Sequence, residues 1–183
     1  MSVGLLIALA VAASPAAEGP EAREQARLCE ERTGEAGLEA CRRAIELGLA
    51  PARRDPVREL LGRKLVSLER WEELVEHLRE EVALHPERGE AHYRLGEALL
   101  YAVDRPGEAL GPFGEAVRLS PARAGIHLAR GVALNALGRH TEALAAFAEA
   151  ERLDPLVFER RPAARAVQDA ARRAARWPEE GEP

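Results

Sequence analysis

Apolar residues recur along the chain at the spacing of helices that bury one face. Between Ala143 and Leu153 they return every three or four positions, which is the period of an amphipathic helix. A second apolar stripe runs from Ala163 to Ala174. The opposite, polar face of that helix comprises Arg165, Gln168, Asp169, Arg172, Arg173 and Arg176. The pattern predicts an all-α chain.

Self-similarity at a fixed interval accompanies this helical period. Glycine recurs at 62, 96 and 131 and proline at 86, 121 and 155, so the intervals are 34 or 35 residues. Two further columns are Leu74, Ala109 and Ala143, and Leu78, Phe113 and Phe147. A glycine within a helix lets a neighbouring helix approach closely, and each proline falls where one helix ends before the next. The interval predicts repeated helical hairpins.

One of these repeats is a residue longer than the others. Gly96 and Ala109 are 13 positions apart, whereas the equivalent residues of the other two repeats are 12 apart. The segment 103–107 contains Pro106 and Gly107, which favour a turn. We therefore predict that the extra residue lies in this segment, in the turn between the two helices of the repeat.

These columns resemble the tetratricopeptide repeat. The resemblance is carried by Leu95-Gly96, Ala109-x-x-x-Phe113 and Pro121, and by Gly131, Ala143-x-x-x-Phe147 and Pro155. It implies a right-handed α-solenoid of helix-turn-helix hairpins over 51–177, with repeats at 55–88, 89–123 and 124–157. The family's first aromatic position holds Arg58, His92 and His127, and its tyrosine position holds Leu65, Leu99 and Leu134. Most of these replacements keep bulk or apolarity, and Arg58 weakens only the first repeat.

Helical segments flank the array on both sides. Residues 18–50 resemble a degenerate first hairpin with Gly34 between its helices, although Gly37 stands where the repeat has alanine. After the array, the pattern predicts a capping helix over 162–176, whose polar face suits the end of a solenoid. Residues 178–183 form a predicted acidic tail.

The chain begins with an apolar run, residues 3–13, that is too short to span a bilayer. It has the length of the apolar region of a signal peptide, and small residues follow it. We therefore predict a signal peptide over 1–17, no stable membrane span, and a periplasmic or secreted protein. No Lys or Arg precedes the run, so an uncleaved leader on a cytoplasmic protein is the alternative.

Charge and motif content exclude several classes of function. The chain has 26 Lys and Arg against 31 Asp and Glu, a net charge of −5, whereas a nucleic-acid binder needs a basic surface. The five histidines lack the spacing of metal ligands on one helix. No phosphate-binding loop, nucleophile elbow or zinc-protease motif occurs in the sequence. We predict no enzyme activity, no cofactor, no metal and no nucleic-acid partner.

The two cysteines, Cys29 and Cys41, lie on opposite sides of the Gly34 turn. In an antiparallel hairpin centred near residue 34 they stand within about 1.5 Å, one residue's rise, of being level. In an exported protein they are therefore candidates for a disulfide. The alternative is a pair of buried cysteines that act as small apolar residues.

The family resemblance also implies a binding surface, because the first helix of each hairpin in such arrays lines a concave face that grips a peptide or protein. The corresponding positions are Glu59, Arg63, Val66 and Ser67; Glu90, Tyr93, Glu97, Leu100 and Tyr101; and Leu128, Val132, Asn135 and Ala136. Tyr93, Glu97 and Tyr101 follow at i, i+4 and i+8, so they are expected on one face. The glutamates disfavour an acidic ligand, which predicts a partner with basic and apolar residues. The alternative is a solvated face, with binding at an edge or loop.

These observations predict a non-enzymatic scaffold or adaptor for protein–protein interaction in a bacterial envelope. Two alternatives are a cytoplasmic adaptor of the same fold and an accessory subunit that positions an envelope enzyme. The sequence makes no prediction about homo-oligomers or about the identity of the partner.

Overall fold

A computed structural model describes residues 18–176, and the secondary structure of this part is helical. The predicted signal peptide over 1–17 and the predicted acidic tail over 178–183 lie outside the described residues. The chain divides into two compact units, with the boundary between Glu69 and Arg70. This boundary falls inside the predicted repeat 55–88. Each unit has buried apolar residues of its own.

The first unit contains helices α1 (Pro20–Glu31), α2 (Gly34–Glu46) and α3 (Pro51–Ser67). Helices α1 and α2 form a hairpin, and both pack against α3. The connection between α1 and α2 is tight because Gly34 adopts a φ of +61°, which costs glycine little. The helices approach closely because small buried residues line them, namely Ala22, Ala26, Ala40 and Ala44.

The only lysine of the chain, Lys64, joins α3 to the end of α1. Its Nζ donates a hydrogen bond to the backbone carbonyl oxygen of Arg32, 2.6 Å away. The last carbonyls of a helix have no partner within the helix, so this bond completes the C-terminal end of α1. A Cβ atom on Gly37 would lie 2.3 Å from that carbonyl oxygen and 2.8 Å from Lys64 Nζ. The contact therefore explains why glycine replaces the alanine of the repeat.

The second unit is a series of helices in which each packs against the next along the chain. They are α4 (Trp71–Leu84), α5 (Gly89–Glu97), α6 (Pro106–Leu119), α7 (Ala124–Ala136), α8 (His140–Leu153), α9 (Val157–Arg160) and α10 (Pro162–Arg176). Helix α10 also packs against α7 and α8. Residues 18–176 contain no strand, so the predicted all-α helical-repeat fold is confirmed.

The repeated glycine and aromatic columns meet inside the hairpins. A Cβ atom added to Gly131 would lie 2.5 Å from the ring of Phe147, and one added to Gly96 would lie 2.5 Å from the ring of Phe113. Both rings are completely buried. The close approach that the glycine column predicts is therefore present, because the first helix of each hairpin passes directly over the phenylalanine of the second.

The extra residue of the longer repeat lies within a helix, so its predicted place in the turn 103–107 is wrong. Helix α5 continues directly into a π-helical turn, Ala98–Ala102, in which the Val103 N–H donates to the Ala98 carbonyl oxygen at i→i+5. The wider π-helical turn holds one more residue than an α-helical turn while the flanking helices keep their packing.

A comparison with the next repeat locates the insertion. The loop residues Asp104 and Gly138 both have a positive φ. Each lies two residues before the second helix of its hairpin begins, at Pro106 and at His140. Asp104 follows Leu99 by five positions, whereas Gly138 follows the equivalent Leu134 by four. The extra residue therefore lies between Leu99 and Asp104, where the chain is π-helical.

The C-terminal end differs from the predicted cap in two respects. Gln168 belongs to the buried face of α10, at 2% exposure, and not to its polar face. It follows Leu134 by 34 positions, so it occupies the repeat position that Leu65, Leu99 and Leu134 hold in the preceding hairpins. The short helix α9 is absent from the predicted pattern, yet its Phe158 is buried and packs edge-on against Phe147, with ring centroids 6.0 Å apart. Phe158 thus extends the core beyond the last predicted repeat.

Candidate functional site

The predicted binding residues are divided between the two units. Glu59 and Arg63 lie on α3 in the first unit, and both are exposed, as are Val66 and Ser67. The remaining predicted residues lie on α5, the π-helical turn and α7 of the second unit. The contacts of the second group determine which of these side chains are open to a partner.

Tyr93 is a packing residue in the structure. Its side chain is 5% exposed and its ring lies 6.2 Å from that of Phe113, between centroids. The Arg123 guanidinium also lies over the Tyr93 ring, 4.4 Å from its centre. Burial raises the pKa of Tyr93, and its hydrogen bond to Glu97 adds to the effect. Tyr93 thus joins α5 to the start of α7 and offers little surface to a ligand.

Glu90 is engaged by two arginines of the same unit. Its carboxylate accepts hydrogen bonds from Arg94, at 2.9 Å, and from Arg123. Burial alone would raise the pKa of Glu90, but the hydrogen bonds from Arg123 and Arg94 hold it below its usual value. The negative charge that the sequence assigns to the binding face is therefore neutralised at this position.

Three of the predicted residues are also occupied by internal contacts. Leu100 and Leu128 are buried, at 7% and 4% exposure. Asn135 Oδ1 lies 2.8 Å from His140 Nδ1, which joins α7 to the start of α8. Val132 is half-buried and Ala136 is exposed. The predicted face is accordingly much smaller than the sequence positions imply.

Glu97 and Tyr101 remain available. Tyr101 is 59% exposed and belongs to the π-helical turn. One turn earlier, Glu97 Oε1 accepts a hydrogen bond from the Tyr93 hydroxyl at 2.6 Å. Partial burial raises the pKa of Tyr101, the Glu97 carboxylate raises it further, and the Arg161 guanidinium acts in the opposite direction. We call Glu97, Tyr101 and Arg161 the Tyr101 site.

In the first unit, Cys29 and Cys41 are joined by a disulfide between α1 and α2. Their Cα atoms are 4.7 Å apart, and neither residue is exposed. An open cleft of about 470 Å³ lies on α1 and is lined by Pro20, Arg23, Glu24, Arg27, Glu30 and Arg53. Arg27 in this cleft is paired with both Glu24 and Glu31, each at 2.7 Å. The cleft therefore has mixed charges, and two of its lining residues, Glu24 and Arg27, are paired with each other.

The described residues, 18–176, offer neither a cluster of metal ligands nor a membrane-spanning helix. Within this part of the chain, no group of three or more His, Cys, Asp or Glu side chains could hold a metal ion. None of the described helices is long and apolar enough to cross a bilayer.

Several solved structures share this arrangement of helices. MamA AMB-1 is 29% identical to the chain, covers 64% of it and 67% of its own length, and has a TM-score of 0.55. YrrB, described as a TPR protein with an unusual peptide-binding site, is 23% identical, covers 86% of this chain and 76% of its own, and has a TM-score of 0.64. The chain has the fold of a tetratricopeptide-repeat protein.

A third structure extends the tetratricopeptide likeness over more of the chain. MamA from Desulfovibrio magneticus RS-1 is 23% identical, covers 87% of this chain and 92% of its own length, and has a TM-score of 0.61. No protein-family model and no curated protein matches the chain. The stacked hairpins and their glycine and phenylalanine columns therefore carry the tetratricopeptide assignment.

Proposed function

We propose that this protein is a non-enzymatic scaffold of the bacterial envelope that binds a segment of a partner protein on the first helices of its second unit. The observation that carries the proposal is Tyr101. A tyrosine that is 59% exposed stands on the first helix of a packed hairpin, and large amphipathic side chains at such places are typical anchors for protein partners.

The tetratricopeptide fold supports a partner that is a protein or a peptide. YrrB, which shares the fold, is described as having a peptide-binding site. The partner segment that suits the Tyr101 site contains basic and apolar residues, since the site combines an aromatic ring with the Glu97 carboxylate. A partner of this kind needs no cofactor and no catalytic group from this chain.

The envelope location rests on the apolar run at 3–13 and on the buried disulfide between Cys29 and Cys41. Disulfides persist in oxidising compartments such as the periplasm. The accessory subunit of an envelope enzyme is a variant of this proposal, in which the bound partner is the enzyme. A cytoplasmic adaptor would use the same face but would have no oxidising environment for the cysteines.

Site-specific cross-linking tests the binding face. A photoreactive phenylalanine analogue placed at 101 should cross-link the partner in native cells. The matched control places the analogue at Gly114 on α6, an exposed position with no neighbouring atom within 4 Å of a Cβ. The partner identified by mass is then purified and bound in vitro. Equal cross-linking from both positions, or from 114 alone, would contradict binding on the first helices.

A further inference from the structure

We propose that the π-helical turn builds a recognition site for one arginine or lysine side chain of the partner, in which Glu97 supplies the carboxylate and Tyr101 the aromatic surface. The inference rests on the proposed function and assigns the chemistry of its binding site. A basic occupant is expected because the Glu97 carboxylate is held by Tyr93 and lies one helical turn from the Tyr101 ring.

Tyr101 belongs to the π-helical turn that the insertion produces. In the next repeat the corresponding stretch of α7 remains α-helical, and its residues Asn135 and Ala136 provide no aromatic ring. The extra residue between Leu99 and Asp104 widens the helix at Ala98–Ala102. Turns of this type are rare and are often found at functional sites. Of the two hairpins α5–α6 and α7–α8, only the first has an aromatic ring at this position.

Glu97 is held in place for an external ligand. The Tyr93 hydroxyl donates to Glu97 Oε1 at 2.6 Å, and the Tyr93 ring packs against Phe113 and Arg123. Within residues 18–176 Glu97 forms no ion pair, in contrast to Glu90, which two arginines engage. A carboxylate accepts several hydrogen bonds at once, so one bond from Tyr93 orients Glu97 and leaves further acceptor positions for a cation.

The ring and the carboxylate together favour a basic side chain. A guanidinium or ammonium group is attracted to the face of a tyrosine ring, and a charge-assisted hydrogen bond to a carboxylate is stronger than a neutral one. An acidic ligand would meet repulsion from Glu97. Tyr101 and Glu97 are one helical turn apart, so a single long basic side chain can contact both.

Arg161, in the link between α9 and α10, carries a positive charge whose effect on the pKa of Tyr101 opposes that of Glu97. Its positive charge acts to lower the pKa of both Tyr93 and Tyr101. For a basic ligand Arg161 is repulsive, whereas for an acidic ligand it would be the main attraction. Neutralising Glu97 and neutralising Arg161 must therefore change binding in opposite directions, and the sign of each change identifies the charge of the ligand.

The test uses the full chain and four pools of 12-residue peptides, randomised except for one central residue fixed as Arg, Lys, Gln or Glu. The wild-type protein should retain the Arg and Lys pools about tenfold more strongly than the Glu pool. Glu97→Gln should remove this preference, and Arg161→Gln should increase retention of the Arg pool. Tyr101→Phe should retain most of the binding because the ring remains, whereas Tyr101→Ala should lose it.

Glu115→Gln, on α6, is the control for a neutralised glutamate and should behave as wild type. Circular dichroism of each variant checks that it is folded. Preference for the Glu pool, weaker binding in Arg161→Gln or equal retention of all pools would overturn the inference. Those outcomes leave the proposed binding of a partner protein on the first helices standing if position 101 still cross-links the partner. Loss of that cross-link would instead remove the proposed function.

Discussion

The imidazole of His127 donates a hydrogen bond from Nε2 to the backbone carbonyl oxygen of Pro121, 2.8 Å away. His92 makes the same bond to the Pro86 carbonyl oxygen at 2.9 Å, six residues back along the chain in both cases. Both histidines are buried and stand where the tetratricopeptide family has an aromatic residue. Each therefore fastens the first helix of its hairpin to the loop that precedes it.

Replacing His127 by phenylalanine, which has a ring but no hydrogen-bond donor, should separate the contribution of ring volume to stability from that of the hydrogen bond. In His127→Phe the Pro121 carbonyl loses its partner, and we expect the free energy of unfolding to fall by about 1–3 kcal/mol. Urea denaturation measures the change. Thr141→Ala, at an exposed position of α8, is the control and should alter stability by less than about 0.5 kcal/mol. An unchanged midpoint for His127→Phe would show that ring volume alone matters.

The central phenylalanine of the last hairpin should be among the most sensitive positions. Phe147 is completely buried beneath Gly131 and against Phe158. Phe147→Ala should lower the free energy of unfolding by about 3–5 kcal/mol because a cavity replaces the ring. In a repeat protein each hairpin stabilises mainly its neighbours, so hydrogen exchange should increase first in α7, α8 and α10. A melting temperature within a degree of wild type would contradict this packing.

The glycine at 37 should reverse the usual effect of a helical Gly→Ala change. Such a substitution normally stabilises a helix by about 0.5–1 kcal/mol. Gly37→Ala should destabilise the protein instead, since the new Cβ would lie 2.3 Å from the Arg32 carbonyl oxygen.

Gly114 supplies the matched control, because it lies in α6, is exposed and has no neighbouring atom within 4 Å of a Cβ. Gly114→Ala should show the ordinary stabilisation, measured by the same thermal unfolding. If Gly37→Ala and Gly114→Ala shift the melting temperature in the same direction, then the contact of Lys64 with Arg32 does not restrict position 37.

The sequence predicts the packing better than it predicts the binding surface, and the residues show why. Gly131 and Phe147 belong to columns set by helix geometry, so their contact follows from spacing alone. Tyr93 also has the spacing of a surface residue of the family, yet Arg123 and Phe113 cover it. Those two residues lie 30 and 20 positions away, and only the tertiary structure brings them to the ring.

The π-helical turn was beyond prediction for a local reason. Pro106 and Gly107 favour a turn by composition, but α6 begins at Pro106 and includes Gly107. Nothing in the run Ala98–Ala102 distinguishes π-helical from α-helical residues, since both types of helix accept alanine and leucine. The insertion is located only by the matching positive φ of Asp104 and Gly138.

Export is tested by the mass of the native protein. If the predicted signal segment 1–17 is cleaved after Ala16, intact-mass measurement of an envelope fraction should show a chain that begins at Ala17. Small residues at Ser14 and Ala16 suit such a cleavage. A full-length chain confined to the cytosol would contradict the envelope proposal and would favour the cytoplasmic adaptor.

The disulfide should stabilise the first unit and resist mild reduction. Cys29 and Cys41 are completely buried between α1 and α2, so a reductant should reach the bond only when the hairpin opens. Alkylation with mass detection should therefore leave both cysteines unmodified in the native protein under mild reducing conditions. In denaturant it should label both cysteines when reductant is present and neither when it is absent. The double variant Cys29→Ala, Cys41→Ala should lower the free energy of unfolding by about 3 kcal/mol, the loop-closure estimate for so short a span. In the wild type, strong reductant added in denaturant before refolding should produce a similar loss. Labelling of both cysteines in denaturant without any reductant would show that the cysteines are not bonded.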